Sequence, residues 1–369
     1  NRNSPVFSCF LDATKAFDRV RFDYLFQTLI DRRVNWCDLR LLFDLYSRQK
    51  VRTSWHDSHS EYFTACNGIR QGSIASPVLF CVYLDGLIDD LEQEGAGCWI
   101  GHHYMGAFVY ADDITLLSPS VNGLRRMLQV CNQFCSRRGM QFNPTKSVCM
   151  KFGDVRTRRY PTIMIDNLAL SWVESVKHLG VYLKRDLRED EEIKRKRGDL
   201  FGRTNTLLGN FAAMPSTVRQ RIFFAKCAHL YGCQTWNLSD RSVSRMRTAF
   251  NRCVRRILGL PARTHSVYLP LITNMMPFEN MVHSRIRKLI QQMLSSKYPP
   301  IKYLSSVCMN DPHSIMSINS GIIENNVPHE YSADEVCTVQ AIVDLMYSDT
   351  PLNADEARIM LEFLCTSSV

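Results

Sequence analysis

The sequence predicts an α+β chain, with a split β-α-β layer in its first half and a mostly helical region after it. Three observations carry this expectation. Two apolar, β-prone runs, Val6-Phe7-Ser8-Cys9-Phe10-Leu11 and Ala107-Phe108-Val109, lead into acidic residues at Asp12 and Asp112-Asp113, and the second resumes as Ile114-Thr115-Leu116-Leu117. Segments with apolar residues at helical spacing alternate with these strands. Beyond Glu191 the helical period takes over.

In chain order, residues 6–12 form a strand because aromatic and β-branched residues suit a pleated, half-buried surface. Helices follow within residues 22–48, then a hairpin around 51–66. A glycine-punctuated loop, Asn67-Gly68-Ile69-Arg70-Gln71-Gly72-Ser73-Ile74-Ala75-Ser76-Pro77, leads to a helix over 77–91. Here Ser76 reads as the N-cap and Pro77 as the first helical residue. A hairpin over 104–117 carries Asp112 and Asp113 on its turn, a helix spans 122–138, and Asn143-Pro144 breaks the chain before a strand at 147–152. A second short hairpin at 162–172 precedes a strand at 178–183. The helical region comprises residues 191–211, 216–231 after the breaker Pro215, 240–258 and 279–295. Pro299-Pro300 and the Ser/Asn-rich residues 305–326 read as a linker, followed by an acidic tail with helices around 334–346 and 354–363. There are no internal repeats.

An acidic dipeptide in a turn is by itself most often solvated, since Asp is a favoured turn former for local reasons. Asp12, at the end of a second strand, changes the weighing. Three carboxylates that converge repel one another unless divalent cations fill the site. Mg²⁺ suits such a cluster, because it accepts a few carboxylate oxygens and takes its other ligands from water and substrate phosphates. The glycine loop would let backbone and Gln71 approach a flat substrate such as a base pair; an ordinary strand-to-helix connection is the alternative.

These segments in this order resemble motifs A, B and C of reverse transcriptases: Phe10-Leu11-Asp12-Ala13-Thr14-Lys15-Ala16-Phe17-Asp18, then Gly68-Ile69-Arg70-Gln71-Gly72-Ser73 with Ser76-Pro77, then Tyr110-Ala111-Asp112-Asp113. The nearest likeness is to non-LTR, LINE-type, jockey- or CR1-like retrotransposons. Gly139-Met140-Gln141-Phe142-Asn143-Pro144-Thr145-Lys146 is similar to motif D, and His178-Leu179-Gly180-Val181 resembles motif E, the primer grip. Tyr231-Gly232-Cys233-Gln234-Thr235-Trp236 and residues 255–261 resemble the thumb and post-thumb region, so the likeness covers residues 5–265.

The resemblance implies a polymerase palm, ferredoxin-like, over residues 1–185, a helical thumb over 186–300, and a linker with an acidic tail of unknown role over 301–369. It implies RNA-directed DNA synthesis from deoxynucleoside triphosphates, with an RNA template, a DNA primer or target and two Mg²⁺ ions, for which Mn²⁺ can substitute. Asp12 and Asp112 would be the principal metal ligands, with Asp113 as a supporting acid. Phe17 would exclude a ribose 2′-OH, or else be a core aromatic. Gln71 and Gly72 would border the nucleotide, and His178, Leu179 and Gly180 would grip the primer. Lys146 would protonate the pyrophosphate leaving group, or be a surface lysine. The chain starts at Asn1, close to motif A, so the expectation is a fragment without fingers or an upstream endonuclease, whose activity in isolation is open. A nonenzymatic remnant that binds RNA or DNA, and a Mg²⁺-dependent nuclease, are the competing readings.

Composition is consistent with a nucleic-acid partner. From Leu304 onward a single basic residue, Arg358, stands against ten acids, a net of −9, which leaves +18 for the preceding residues against a total of +9 over 369 residues. Basic residues are densest over 184–203 and 241–256. The first run is interrupted by Asp186, Glu189, Asp190, Glu191 and Glu192, so a solvated face is equally expected there; the second fits phosphate contact. The fourteen cysteines include no Cys-x-x-Cys, and Cys131 with Cys135 and Cys227 with Cys233 read as buried thiols rather than zinc ligands. With no signal peptide and no bilayer-spanning apolar run, the expected setting is reducing and intracellular, in nucleus or cytoplasm, away from membranes.

Overall fold

The computed structural model describes residues 5–153 and 160–326, together with Val336, Val339 and Gln340. Two compact units divide the chain, residues 1–176 with 184–187 and residues 177–183 with 188–369.

The first unit is organised by a five-stranded sheet in the order Ser171–Trp172, Val148–Phe152, Val6–Asp12, Asp113–Ser118 and Ala107–Tyr110. The Val6–Asp12 strand is central and antiparallel to both neighbours, with Cys9 opposite Cys149 on one side and Leu116 on the other. Taking the strands starting at Val6, Ala107, Asp113 and Val148 as first to fourth, the order is fourth-first-third-second. This is the split β-α-β arrangement of an α+β fold, as the alternation of strand and helix patterns predicts.

Val121–Arg137 packs against this sheet because its apolar residues recur at helical spacing: Leu124, Met127, Leu128, Cys131, Phe134 and Cys135 are all buried. Ser120 caps it by accepting from the Gly123 N–H at 3.0 Å. Leu79, Phe80, Tyr83, Leu87 and Leu91 close the same core.

Several local expectations are corrected. The helix expected over 77–91 is two, Ser76–Tyr83 and Leu87–Gln93, because the chain turns at Gly86 with φ 84°. Ala75, not Ser76, is the N-cap; Ser76 is the first helical residue and its hydroxyl donates to the Arg70 carbonyl. The strand expected at 178–183 is a hairpin, Ser175–His178 and Val181–Lys184, turned through Leu179 and Gly180, both at positive φ. The 162–172 hairpin is present as Met164–Ile165 with Leu168–Ala169, turned by Asp166-Asn167 at positive φ, a favoured hairpin geometry. Ser171–Trp172 then joins the main sheet in parallel.

In the second unit Asp190–Asn210, Arg241–Leu258 and Phe278–Leu294 are the long helices. Arg241–Leu258 buries Val243, Met246, Phe250, Cys253, Val254 and Ile257 on one face, opens with Asp240 accepting from the Ser242 N–H, and ends at Gly259 in the left-handed region. The helix expected to run from 216 to 231 stops at Ile222 and passes through a π turn, Phe223–Cys227, with Phe223 fully buried. The expected linker is helical, as Pro299–Asn310 and Ile315–Glu324: Pro299 and Pro300 start a helix rather than prevent one. The tail helices expected at 334–346 and 354–363 lie outside the described residues, apart from Val336, Val339 and Gln340.

Burial accounts for Cys131, Cys135, Cys227 and Cys233, whereas Cys37, Cys66 and Cys81 are exposed. Cys131 and Cys135 sit in the first core, where desolvation pushes the Cys135 thiol up to about 12 and raises Cys131 as well; Cys233 in the second unit is pushed up to about 11. A thiol held protonated is a poor metal ligand.

Candidate active site

Four chain segments meet at the carboxyl end of the central strand. Asp12 closes that strand. Its N–H donates to Ser147 Oγ at 3.1 Å, and its carbonyl accepts from the Asn143 N–H at 2.8 Å. The Thr14 N–H donates to the Gln141 carbonyl at 2.8 Å, so residues 141–147 fix the backbone that presents Asp12. Asn143, a chain break in the sequence, therefore has a structural duty, and its side-chain oxygen also accepts from the Thr145 N–H and hydroxyl.

Asp112 reaches the same place from the hairpin. Tyr110 pairs with Asp113, leaving Ala111-Asp112 as a two-residue loop, with Ala111 at φ 52°. A left-handed alanine costs about 1–2 kcal/mol, and Lys15, beside Asp12, is likewise left-handed at φ 48°. Such strain persists where the surrounding structure over-determines it, commonly at functional sites.

The glycine loop is docked onto motif A. Gly68 N–H donates to the Val20 carbonyl at 2.8 Å and Ile69 N–H to the Phe17 carbonyl at 2.9 Å. Gly68 takes φ 88°, and a Cβ there would lie 3.0 Å from the Asp18 carbonyl oxygen, so both conformation and space demand glycine. Gly68→Ala is expected to cost about 1–3 kcal/mol, read as a lowered denaturant midpoint with an unchanged slope; an unchanged midpoint would remove the loop's dependence on glycine. Gln71 is positioned by donating from Nε2 to Asp18 Oδ1 at 3.0 Å.

Asp12, Lys15, Phe17, Gln71, Asp112 and Lys146 line one cleft of about 430 Å³. Lys146 Nζ stands 4.0 Å from Asp12 Oδ2, both side chains reaching solvent. Phe17 shows one face to Phe80, with centroids 4.9 Å apart and planes at 21°, and Phe80 is fully buried. Phe17 thus lines the cleft while one face packs on the core.

Other expected residues are placed elsewhere. Asp113 is not a lining residue; it lies in the ladder, opposite Asp12 on one side and Tyr110 on the other. Gly72 is exposed at φ 82°, outside the cleft lining. His178, Leu179 and Gly180 belong to the second unit, where the Leu179 carbonyl accepts from the Tyr231 hydroxyl at 2.8 Å. Among the described residues no group of three or more His, Cys, Asp and Glu side chains could hold a metal, and the carboxylates that line the cleft are Asp12 and Asp112. Sequence reasoning overlooked Lys15 as a cleft residue; its positive φ is invisible in the sequence.

A two-carboxylate donor set in an open cleft still fits Mg²⁺, which is commonly held by one or two protein carboxylates plus substrate phosphates. It does not fit a closed, all-protein cage.

Residues 2–183 match the family model described as reverse transcriptase (RNA-dependent DNA polymerase). Among curated proteins, the chain is 25% identical over 266 residues to the probable RNA-directed DNA polymerase from transposon X-element of Drosophila melanogaster, covering 68% of this chain and 28% of that protein. It is 23% identical over 269 residues to the RNA-directed DNA polymerase from mobile element jockey of Drosophila funebris, covering 69% and 28%. It is 27% identical over 141 residues to the Pol polyprotein of the type-1 retrotransposable element R2 of Nasonia vitripennis, covering 38% and 14%. The chain thus spans less than a third of the length of each of these relatives. Among solved structures, apo telomerase from Candida tropicalis aligns with a TM-score of 0.40 at 9% identity, covering 81% of this chain and 53% of that one.

Proposed function

We propose, from the premise that residues 2–183 belong to the reverse transcriptase family, that this chain carries the catalytic palm of an RNA-directed DNA polymerase of a non-LTR, LINE-type retrotransposon. One observation supports this most. Residues from four separate segments, Asp12 with Phe17, Gln71, Asp112 and Lys146, line a single cleft, and each has the chemistry that nucleotidyl transfer requires.

Asp12 and Asp112 would hold Mg²⁺, or Mn²⁺ in its place, and the bound metal supplies charge neutralisation and polarisation of the phosphoryl oxygens. Asp113 is assigned a supporting part through its register with Asp12. Gln71, held by Asp18, borders the incoming deoxynucleoside triphosphate, and Phe17 excludes its 2′-OH. Lys146 carries a proton close to the oxygen that gains charge as pyrophosphate leaves. The protein's share is mainly to position an RNA template and a primer 3′-hydroxyl and to screen charge. The Leu179-Gly180 turn is assigned to the primer strand.

Primer extension with this chain tests this reading. Deoxynucleotide addition on an RNA template is expected. Tight nucleic-acid binding without extension would favour a nonenzymatic remnant, and cleavage of unprimed strands would favour a nuclease. Within that assay Lys146→Gln should lower the rate by about 10²-fold; an unchanged rate would return Lys146 to the role of a surface partner of Asp12.

A further inference from the structure

The second unit holds a cavity of about 630 Å³ among the helices Arg241–Leu258, Leu269–Thr273 and Phe278–Leu294. That volume lies within the range of small-molecule and nucleotide sites. Its apolar walls include Phe224, Phe250 and Phe278, and Asn251 and Asn280 bring amide groups to them. Thr248 and Arg255 line it as well.

Arg255 is unusual among these groups. Its Nε donates to the Thr264 carbonyl at 2.7 Å. Among the described residues it makes no ion pair, and burial alone lowers its affinity for a proton. A half-buried guanidinium with free fork nitrogens and no carboxylate is suited to an anion, above all a phosphate. By contrast, Arg247 in the same lining is neutralised by Glu279 at 2.9 Å.

Thr248 and Arg255 also belong to a second feature. At 100° per residue, Arg241, Arg245, Thr248, Arg252, Arg255 and Arg256 share one side of the Arg241–Leu258 helix, opposite its buried face. This helix contains no acid between residues 241 and 258. Among the described residues, Arg247 alone of its six arginines is in an ion pair. The basic run at 184–203 differs: Glu192 and Asp199 pair with Arg195, and Glu192 with Lys196. The stripe runs for about 22 Å, at 1.5 Å per residue, and the cavity opens along its edge.

We propose that this cavity is a base-accepting site: it takes an unstacked base of a single-stranded nucleic acid whose phosphates run along the arginine stripe, with Arg255 on the phosphate nearest the base. The stripe supplies the sequence-independent charge term, and the cavity supplies an open recess lined by aromatic side chains and by amide donors and acceptors. An acidic peptide would satisfy the arginines and leave the aromatic recess and its amides unused. The site lies wholly in the second unit and does not depend on the catalytic assignment of Asp12 and Asp112.

Binding of the whole chain to a fluorescent single-stranded oligonucleotide, compared with an abasic oligonucleotide of the same length, tests it. The oligonucleotide with bases is expected to bind roughly tenfold tighter. Asn251→Trp, which fills the recess, should abolish that difference and leave abasic binding unchanged. Arg245→Gln, on the stripe outside the recess, should weaken both ligands alike and reduce the salt dependence. Arg255 also supports the Thr264 loop and is left intact; the place of the base is read by crosslinking, in which 4-thiouridine in the oligonucleotide should attach to the peptides of the unaltered chain that contain Phe224, Phe250 or Phe278. Equal affinity for the abasic strand, an unaltered difference in Asn251→Trp, crosslinks confined to the first unit, or full competition by poly-glutamate would each overturn the proposal.

Discussion

Asp112→Ala is expected to abolish templated DNA synthesis, by 10³-fold or more on the order-of-magnitude scale of a lost charge-stabilising group, with little change in stability or nucleic-acid binding. The separation of effects follows from where Asp112 sits. It occupies the loop between Tyr110 and Asp113, outside the sheet ladder and only partly buried, so removing its carboxylate leaves the packing of Ile114 and Leu116 intact. The Ala111 turn that presents it is already strained, and a neighbouring alanine adds no new conformational demand. Asp113→Ala is the informative comparison. Asp113 is held in the ladder against Asp12 and does not line the cleft, so its loss should act through the position of Asp12 and reduce the rate less. Primer extension alongside thermal unfolding separates the cases. Residual synthesis within tenfold of wild type in Asp112→Ala would remove Asp112 from the metal-holding pair, and a larger loss in Asp113→Ala than in Asp112→Ala would exchange their roles.

Much of this arrangement was legible before any coordinates, for a physical reason. The strand at 6–12 and the hairpin at 107–118 combine β-prone residues with acids at their ends, and an apolar strand flanked by acids has few ways to pack other than side by side with its polar ends together. Helix Val121–Arg137 was equally plain, because seven residues buried on one face leave an unambiguous 3.6-residue period. Where reading failed, the deciding information was tertiary. Residues 299–324 look like a linker because Pro and Ser dominate locally, yet Ser305 and Asn319 are buried there, and Asn319 both donates from its amide to the Trp236 carbonyl at 2.8 Å and accepts from the Leu238 N–H. Packing against the second core outweighs local composition. The break at Gly86 was missed because the apolar spacing from Leu79 to Leu91 continues in phase across it. Neither the ion pair of Lys146 with Asp12 nor the docking of Gly68 onto Asp18 could be read from spacing, since both join residues that are fifty or more positions apart.

Phe17→Val is expected to raise ribonucleotide incorporation on the order of 10²-fold relative to deoxynucleotide incorporation, the size of discrimination that a shape-based apolar wall can exert against one hydroxyl. Phe17 is suited to be that wall because its position is fixed from behind. Its ring stacks on the fully buried Phe80, and its carbonyl is tied to the Ile69 N–H of the glycine loop. A ring that could swing away would discriminate poorly, whereas one held against the core transmits any clash with a 2′-OH to the whole first unit. The same packing gives the substitution a structural cost. Loss of the stacked pair removes about 1 kcal/mol of aromatic interaction beyond the lost burial, so a lower midpoint of unfolding is expected together with the changed selectivity. The two effects are separable by Phe17→Tyr, which keeps the ring, the stack on Phe80 and the bulk at the cleft: it should retain both stability and discrimination against ribonucleotides. If Phe17→Val lowers stability and leaves the ratio of kcat/KM for deoxy- over ribonucleotides unchanged, the ring serves the core alone. A shift in that ratio at constant template affinity would instead assign sugar selection to a side chain that the core itself holds in place.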